Sequence, residues 1–291
     1  MKEINIFCFG FGQVAKEFIK KILSEKYNLN IAITTRQESD VIEFLGQKIL
    51  SFEFNNNKID KNIFKKLKDF DHVLISIPPE DEMDLVLKYF SKEILKQNIK
   101  WITYLSATSV YGDHQGKWVD ENSKTFPKSK NGVDRLAVEK AWLKIYEENK
   151  IPLQIFRMSG IYSNKYNVLE RIRSGNGSII KKKNQFFSRI HVEDIANLLF
   201  LSLDKLKKGE VYNISDDKPA SSEEVMKYGA KILNLPEPKE TKLEDIESEM
   251  LKAFYRDSKK VSNNKVKEFF KYQLKFPTYV EGLNYINKKI F

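Results

Sequence analysis

The chain is poor in the residues that staple or metallate a fold. Its 291 residues include one cysteine, Cys8, so no internal disulfide framework can form. Three histidines with that single cysteine argue against a zinc centre. Arginine is scarce as well: of fifty basic residues only seven are Arg, at positions 36, 135, 157, 171, 173, 189 and 256. The formal net charge of +10 would suit a nucleic acid, yet bidentate phosphate and base contacts draw on arginine. A lysine-rich, arginine-poor chain reads instead as a solvated surface, and no nucleic-acid partner is expected. No apolar run reaches the roughly 18 residues of a membrane span. The stretch MKEINIFCF lacks the small-residue cleavage site of a secretory signal. A cytoplasmic, reducing location with no membrane partner is therefore the expectation.

What is present is enough to fold. Hydrophobic residues make up 41% and charged residues 31% of the chain, which supports a sizeable core and argues against disorder. The length suggests about two domains. Short apolar runs at 3–9, 30–35, 71–79, 101–108 and 152–158 read as buried strands. Between them, 14–26 places Val14, Phe18, Ile22 and Leu23 on one helical face, and helices are expected over 82–97 and about 132–149. Weaker elements fall at 49–54 and 61–69. This alternation predicts an α/β fold with a parallel sheet and right-handed crossovers. After 160 the pattern loosens, with a short strand at 211–215 and a mostly helical last third.

The first strand runs into Gly10-Phe11-Gly12-Gln13-Val14-Ala15. In that spacing the first glycine permits a tight turn and the second lets backbone approach a pyrophosphate. The small third residue lets helix and strand pack. The helix opening at Gln13 and Val14 offers N–H groups and dipole to the phosphates. The next strand ends Thr34-Thr35-Arg36, with no acid before Glu38. An acid there would bind the 2′-hydroxyl of NAD, whereas Arg36 suits the 2′-phosphate of NADP. NADP is therefore favoured, with NAD the alternative. The turn Ser76-Ile77-Pro78 stands where a ribose or adenosine edge would pass, or is an ordinary strand-ending turn.

Four further stretches carry a resemblance: YLSATSVYGDHQGKWVDE (104–121), Arg157-Met158-Ser159-Gly160-Ile161-Tyr162, Ser188-Arg189-Ile190-His191-Val192-Glu193-Asp194, and Val211-Tyr212-Asn213-Ile214-Ser215-Asp216. With SKKVSNNKVKE (258–268) and FPTYVEGL (276–283), they make the chain similar to an extended, atypical branch of the short-chain dehydrogenase/reductase superfamily, the nucleotide-sugar epimerases and dehydratases. The resemblance implies a doubly wound parallel Rossmann sheet over 1–159, to which the chain returns around 187–215. It implies a smaller, mostly helical substrate domain over 160–291 and a bound NAD(P). The implied substrate is a sugar nucleotide or a small hydroxy or keto compound. A homodimer through the helices at 82–97 and 132–149 goes with it. Ser106, Arg135 and Met158 join the expected cofactor contacts.

The resemblance also implies a Ser/Thr–Tyr–Lys group in which the tyrosine moves a proton and the lysine lowers its pKa. Aligned on Val110-Tyr111-Gly112-Asp113, and anchored at the other end on Glu139, those three positions read Ala107, Asn131 and Arg135. An amide has no titratable proton and a guanidinium does not deprotonate. Literal Tyr-x-x-x-Lys occurs at 146/150, 255/259 and 285/289, but about two such matches arise by chance in a chain this rich in lysine, and none opens the required helix. Ser109 and Tyr111 stand in as candidates for proton transfer, with packing the commoner role for a tyrosine there. His191 reads first as a structural histidine. The basic residues 171, 173, 181–183 and 189 form either a diphosphate clamp or a solvated loop. Two functions stay open: an epimerase- or reductase-like enzyme with a degenerate site, or an NADP-binding sensor or regulatory protein without turnover.

Overall fold

The structure is a computed structural model that describes residues 3–25, 27–246 and 249–290. In chain order the elements begin β1 (Glu3–Phe9), α1 (Gln13–Ser24), β2 (Asn28–Thr35), β3 (Asp40–Phe44), β4 (Gln47–Glu53), α2 (Asn62–Lys66) and β5 (His72–Ile75). They continue α3 (Leu85–Leu95), β6 (Trp101–Ala107), β7 (Trp118–Val119), α4 (Lys130–Asn149), β8 (Leu153–Met158), β9 (Gly160–Tyr162), α5 (Val168–Arg173) and β10 (Arg189–His191). The chain closes with α6 (Val192–Asp204), β11 (Glu210–Ile214), α7 (Ser222–Leu233), α8 (Glu249–Arg256), β12 (Lys260–Val261), α9 (Asn264–Phe270) and α10 (Tyr279–Ile290). The expected α/β fold is what forms. Residue 26, the expected end of the first helix, lies outside the described residues.

Two compact units divide the chain: Met1–Ala107 with Val133–Arg157 and Ile195–Tyr212, and Thr108–Gly132 with Met158–Asp194 and Asn213–Phe291. The chain thus leaves the first unit at the end of β6, earlier and more often than a boundary near 159 with one return over 187–215 anticipates.

The first unit is built on an eight-stranded sheet in the order β11-β8-β6-β5-β1-β2-β4-β3. β1 pairs in parallel with β2 and β5, β2 with β4, and β5 with β6. Chain direction reverses its progress across the sheet at β1, which makes the carboxyl end of β1 the switch point of a doubly wound fold. Strands buried on both faces explain why β1, β5, β6 and β8 read as nearly unbroken apolar runs. One core cluster holds Phe7, Phe9, Phe52, Phe54 and Phe90 with Tyr104 and Trp142. α1 buries Val14, Ala15, Phe18, Ile19 and Ile22. At the start of α3, Asp84 caps the helix by accepting from Val86 N at 2.7 Å and holds Trp142 Nε1 of α4 at 2.9 Å.

β3 is an element that the sequence pattern does not announce. It is antiparallel to β4, with Phe44 opposite Gln47, and joins it through Leu45 (φ 53) and Gly46 (φ 75). Positive φ at both turn residues is the geometry of a two-residue hairpin whose twist matches its strands. The strand is an edge, and alternation brings no face of it fully into the core, so its apolar residues give no clear period.

In the second unit two short parallel pairs form, β9 with β10 and β7 with β12. α5, α7 and α10 pack around Tyr162, Leu169, Val225, Tyr279 and Leu283.

Candidate functional site

The glycine turn follows directly from β1. Gly10 has φ +96, and its N–H donates to Thr34 Oγ1 at 2.9 Å. Both Ser76 N and Ser76 Oγ donate to the carbonyl of Phe9, at 2.9 and 3.0 Å. A Cβ on Gly10 would stand 2.7 Å from Ser76 Oγ and 2.9 Å from Ile77 Cγ2. The protein itself therefore requires glycine at position 10. Gly12 differs: its backbone is extended (φ −78, ψ −171) and an added Cβ would meet nothing within 4 Å. Nothing in the chain demands glycine there; what it preserves is open space before the start of α1. Gly12, the N-cap of that helix, makes no side-chain capping bond, and its first turn has no acid. The first N–H groups and the positive dipole end of α1 suit an anion.

That space belongs to a cavity of about 980 Å³ in the first unit. Of the residues singled out from sequence, Gly10, Gly12, Arg36, Ser76, Ile77 and Pro78 line it together. Gln13 and Val14 do not, and Val14 is buried in the core. Ser106, Arg135 and Met158 are also absent from its lining. The sequence reading missed the wall formed by Asp40, Ile42, Glu43 and Phe44 of β3 and by Ser51 and Asn55 beyond it. Two cations, Lys16 and Arg36, face four acids, Glu38, Asp40, Glu43 and Glu80, around this lining. The Arg36 side chain is 80% exposed and 4.0 Å from Glu80, a loose surface pair that leaves the guanidinium available. The turn, the open side of Gly12 and the switch-point position together fit a dinucleotide.

The resembling catalytic segment presents a different picture. Ser106 ends deep in β6 with its Oγ buried and without a hydrogen-bond partner. Arg135 on α4 donates from Nη1 to Leu105 O at 2.9 Å. Burial pushes the neighbouring Tyr104 phenol well above its ordinary range, with Arg135 acting in the opposite direction. Glu139 is spent on a buried, bidentate pair with Arg157, at 2.8 Å from Oε2 to Nη2. In the second unit, Tyr111 is fully buried and donates to Asn213 Oδ1 at 2.7 Å. Its phenol is thus a packing and anchoring group rather than one opening into a cleft. Ser109 Oγ is buried without a partner. Asn131 is exposed, and Gly132 beside it lies so close to Ser109 O that a Cβ would stand at 2.7 Å. The literal Tyr-x-x-x-Lys pairs have other employment: Lys150 and Lys289 lie against Tyr146 and Tyr285, and Lys259 is half-buried, donating to Gly112 O at 2.8 Å.

The second unit has its own cavity of about 510 Å³, lined among others by Tyr162, Tyr166, Asn167, Arg171, Arg189 and Phe254. Arg189 is held by the carbonyls of Phe187 and Ala220, each at 2.9 Å. The lysines of the basic run do not join it: Lys181 pairs with Glu240 and Lys182 donates to Tyr255 O. His191 is buried, accepting from Glu193 N at 3.3 Å and packed 4.2 Å from the Phe276 ring. Asp194 accepts from Tyr272 Oη and Lys275 N, both at 2.7 Å, and burial raises its carboxyl above the usual range. Burial likewise pushes Asp216 up to about 8, against the pull of Arg189. Among the described residues there is no cluster of three or more His, Cys, Asp or Glu fit to hold a metal, and no helix long and apolar enough to cross a membrane.

Residues 86–215 match the model of the NAD dependent epimerase/dehydratase family. Over 99% of both chains the structure superposes on a conserved protein of unknown function from Silicibacter pomeroyi, with 29% identity and a TM-score of 0.86. It also superposes on UDP-glucuronic acid 4-epimerase from Bacillus cereus, solved with NAD (17% identity, 100% of both chains, TM-score 0.74). A third likeness is to UDP-glucose 4-epimerase from Thermotoga maritima, solved with UDP-glucose (16% identity, 100% of this chain and 98% of that one, TM-score 0.77). No curated protein matches the chain significantly. The resemblance read in the sequence is borne out as a likeness: residues 86–215 match the epimerase/dehydratase family model, and the chain has the Rossmann-like α/β fold of the solved epimerases.

Proposed function

We propose that the chain binds a nicotinamide dinucleotide, NADP in preference to NAD, in the cavity at the carboxyl end of β1. The observation that carries this reading is Gly12, glycine without any internal need for it, opening onto that cavity at the start of α1. Gly10, Gly12 and the first N–H groups of α1 would receive the pyrophosphate, Ser76 to Pro78 would flank a ribose, and Arg36 would meet a 2′-phosphate. The bound nicotinamide supplies hydride donation and acceptance. NADPH fluorescence titration tests the reading. Saturable binding is expected, abolished in Gly12→Val. Arg36→Ala should lower the preference for NADPH over NADH, and tighter binding of NADH than of NADPH by the wild type would favour NAD.

The activity that goes with this reading is epimerase-, dehydratase- or reductase-like chemistry on a sugar nucleotide or a small hydroxy or keto compound. The solved epimerases and their ligands support it. Arg171 and Arg189 in the second unit's cavity are the groups suited to a diphosphate. Of the two candidate proton carriers, Ser109 keeps an uncommitted hydroxyl whereas Tyr111 has given its own to Asn213. A homodimer through α3 and α4 accompanies this reading, and light scattering tests it.

A second reading has its own support. The positions of the usual tyrosine and lysine carry Asn131 and Arg135, and the phenols of Tyr104 and Tyr111 are buried. A protein that binds NADP and senses it without turnover would look like this. A panel of sugar nucleotides and hydroxy or keto compounds, followed at the nicotinamide absorbance, separates the two. Binding without any absorbance change selects the sensor.

A further inference from the structure

We propose that Phe44, the last residue of β3, determines specificity in the first unit's cavity by presenting its ring to the flat purine base of an adenine-containing ligand. This rests on the dinucleotide reading above. The hairpin carries Phe44 to the cavity because the Leu45–Gly46 turn closes directly behind it. Ile42 and Glu43, the two residues before it, line the same cavity. Phe44 meets Phe11, the residue between the two glycines, edge to face at 5.2 Å between centroids. Lys16 Nζ lies 5.3 Å from the Phe11 ring. Both rings line the cavity, and both stand outside the buried cluster that Phe54, Ile77 and Leu85 join. Their remaining apolar surface therefore faces the ligand space. Beside them the lining includes the polar side chains of Thr35, Ser51, Asn55 and Asn57. The phosphates and riboses of a dinucleotide are polar, so a base is the part that covers an aromatic ring. With the pyrophosphate at Gly12 as proposed, Arg36, the residue suited to the adenosine 2′-phosphate, lines the same cavity as Phe44, which points this wall at the adenine rather than the nicotinamide.

The experiment is a calorimetric titration of the full chain with NADPH, with ADP-ribose, which has the adenine arm alone, and with nicotinamide mononucleotide, which has the other. Phe44→Ala should weaken NADPH and ADP-ribose about tenfold, the size of one base–aromatic stack. Nicotinamide mononucleotide should be unaffected. Phe44→Tyr, keeping the ring, should stay within about twofold of wild type. If Phe44→Ala does not fold by circular dichroism, Phe44→Leu, which keeps apolar volume without an aromatic face, carries the same expectation. ADP-ribose affinity unchanged in the folded variant, or a loss confined to nicotinamide mononucleotide, overturns the proposal and leaves the dinucleotide reading standing. Failure of the wild type to bind any of the three overturns both.

Discussion

Gly10 and Gly12 sit two residues apart in one motif but are glycines for different reasons. At Gly10 the backbone lies at φ +96 against Ser76 and Ile77, so Gly10→Ala should cost about 1–3 kcal/mol in urea denaturation. At Gly12 nothing within the chain is in the way. Gly12→Val should alter stability by less than about 1 kcal/mol while removing NADPH binding. The two variants together separate a folding glycine from a ligand glycine. Asp216 gives a pH prediction at the same scale. Its folded carboxyl is raised from 3.8 to about 8 by burial. The folded state thus holds the proton more tightly than the unfolded one, and stability present at low pH is lost as pH rises from about 4 through about 8. Asp216→Asn keeps the neutral shape, so its melting temperature should fall less than the wild type's between pH 6 and pH 9. Parallel slopes would assign the pH dependence to other groups.

The β3–β4 hairpin is the element on which the cavity wall depends. Leu45 occupies φ 53, a conformation that suits Asn far better than a branched apolar residue, and its side chain is 57% exposed. Leu45→Asn would create the favoured Asn-Gly turn at little cost in burial and should stabilise the protein by about 1 kcal/mol. A loss of stability would mean that Leu45 has a packing role. At the start of α3, Asp84 both caps the helix and accepts from Trp142. Asp84→Ala leaves two buried donors unmet and should cost about 2–4 kcal/mol, read from the denaturation midpoint.

Across the first unit, the sheet order puts the open end of β1 at the point where connections diverge. A ligand seated there would meet β2, β3, β4 and the turns that follow β1 and β5, and should raise the melting temperature of the whole cooperative unit. At a hundredfold excess over Kd the gain is about 2.7 kcal/mol. Thermal melts with and without NADPH measure it. The buried Glu139–Arg157 pair ties α4 to β8. Glu139→Ala strands the guanidinium and should cost about 3–5 kcal/mol, and a joint change of both residues to Met should cost less.

Periodicity and glycine spacing in the sequence determined the alternating α/β pattern, the parallel sheet and the glycine turn that opens onto the cavity. Those signals are local: an apolar run buried on two faces, or a turn that must lie between strand and helix, is visible within a few residues. The chain's resemblance to the epimerases was legible in the same way, in strings such as Ser-Val-Tyr-Gly-Asp. Tertiary structure alone decided what each polar group does. Tyr111 is anchored to Asn213, 102 positions away, and Glu139 to Arg157. Lys181 and Lys182 are drawn from a basic run into separate pairings. Only the fold brings Phe44 to Phe11. Hydrogen bonds and ring contacts are short-range, and which partners come into range is set by how the elements pack.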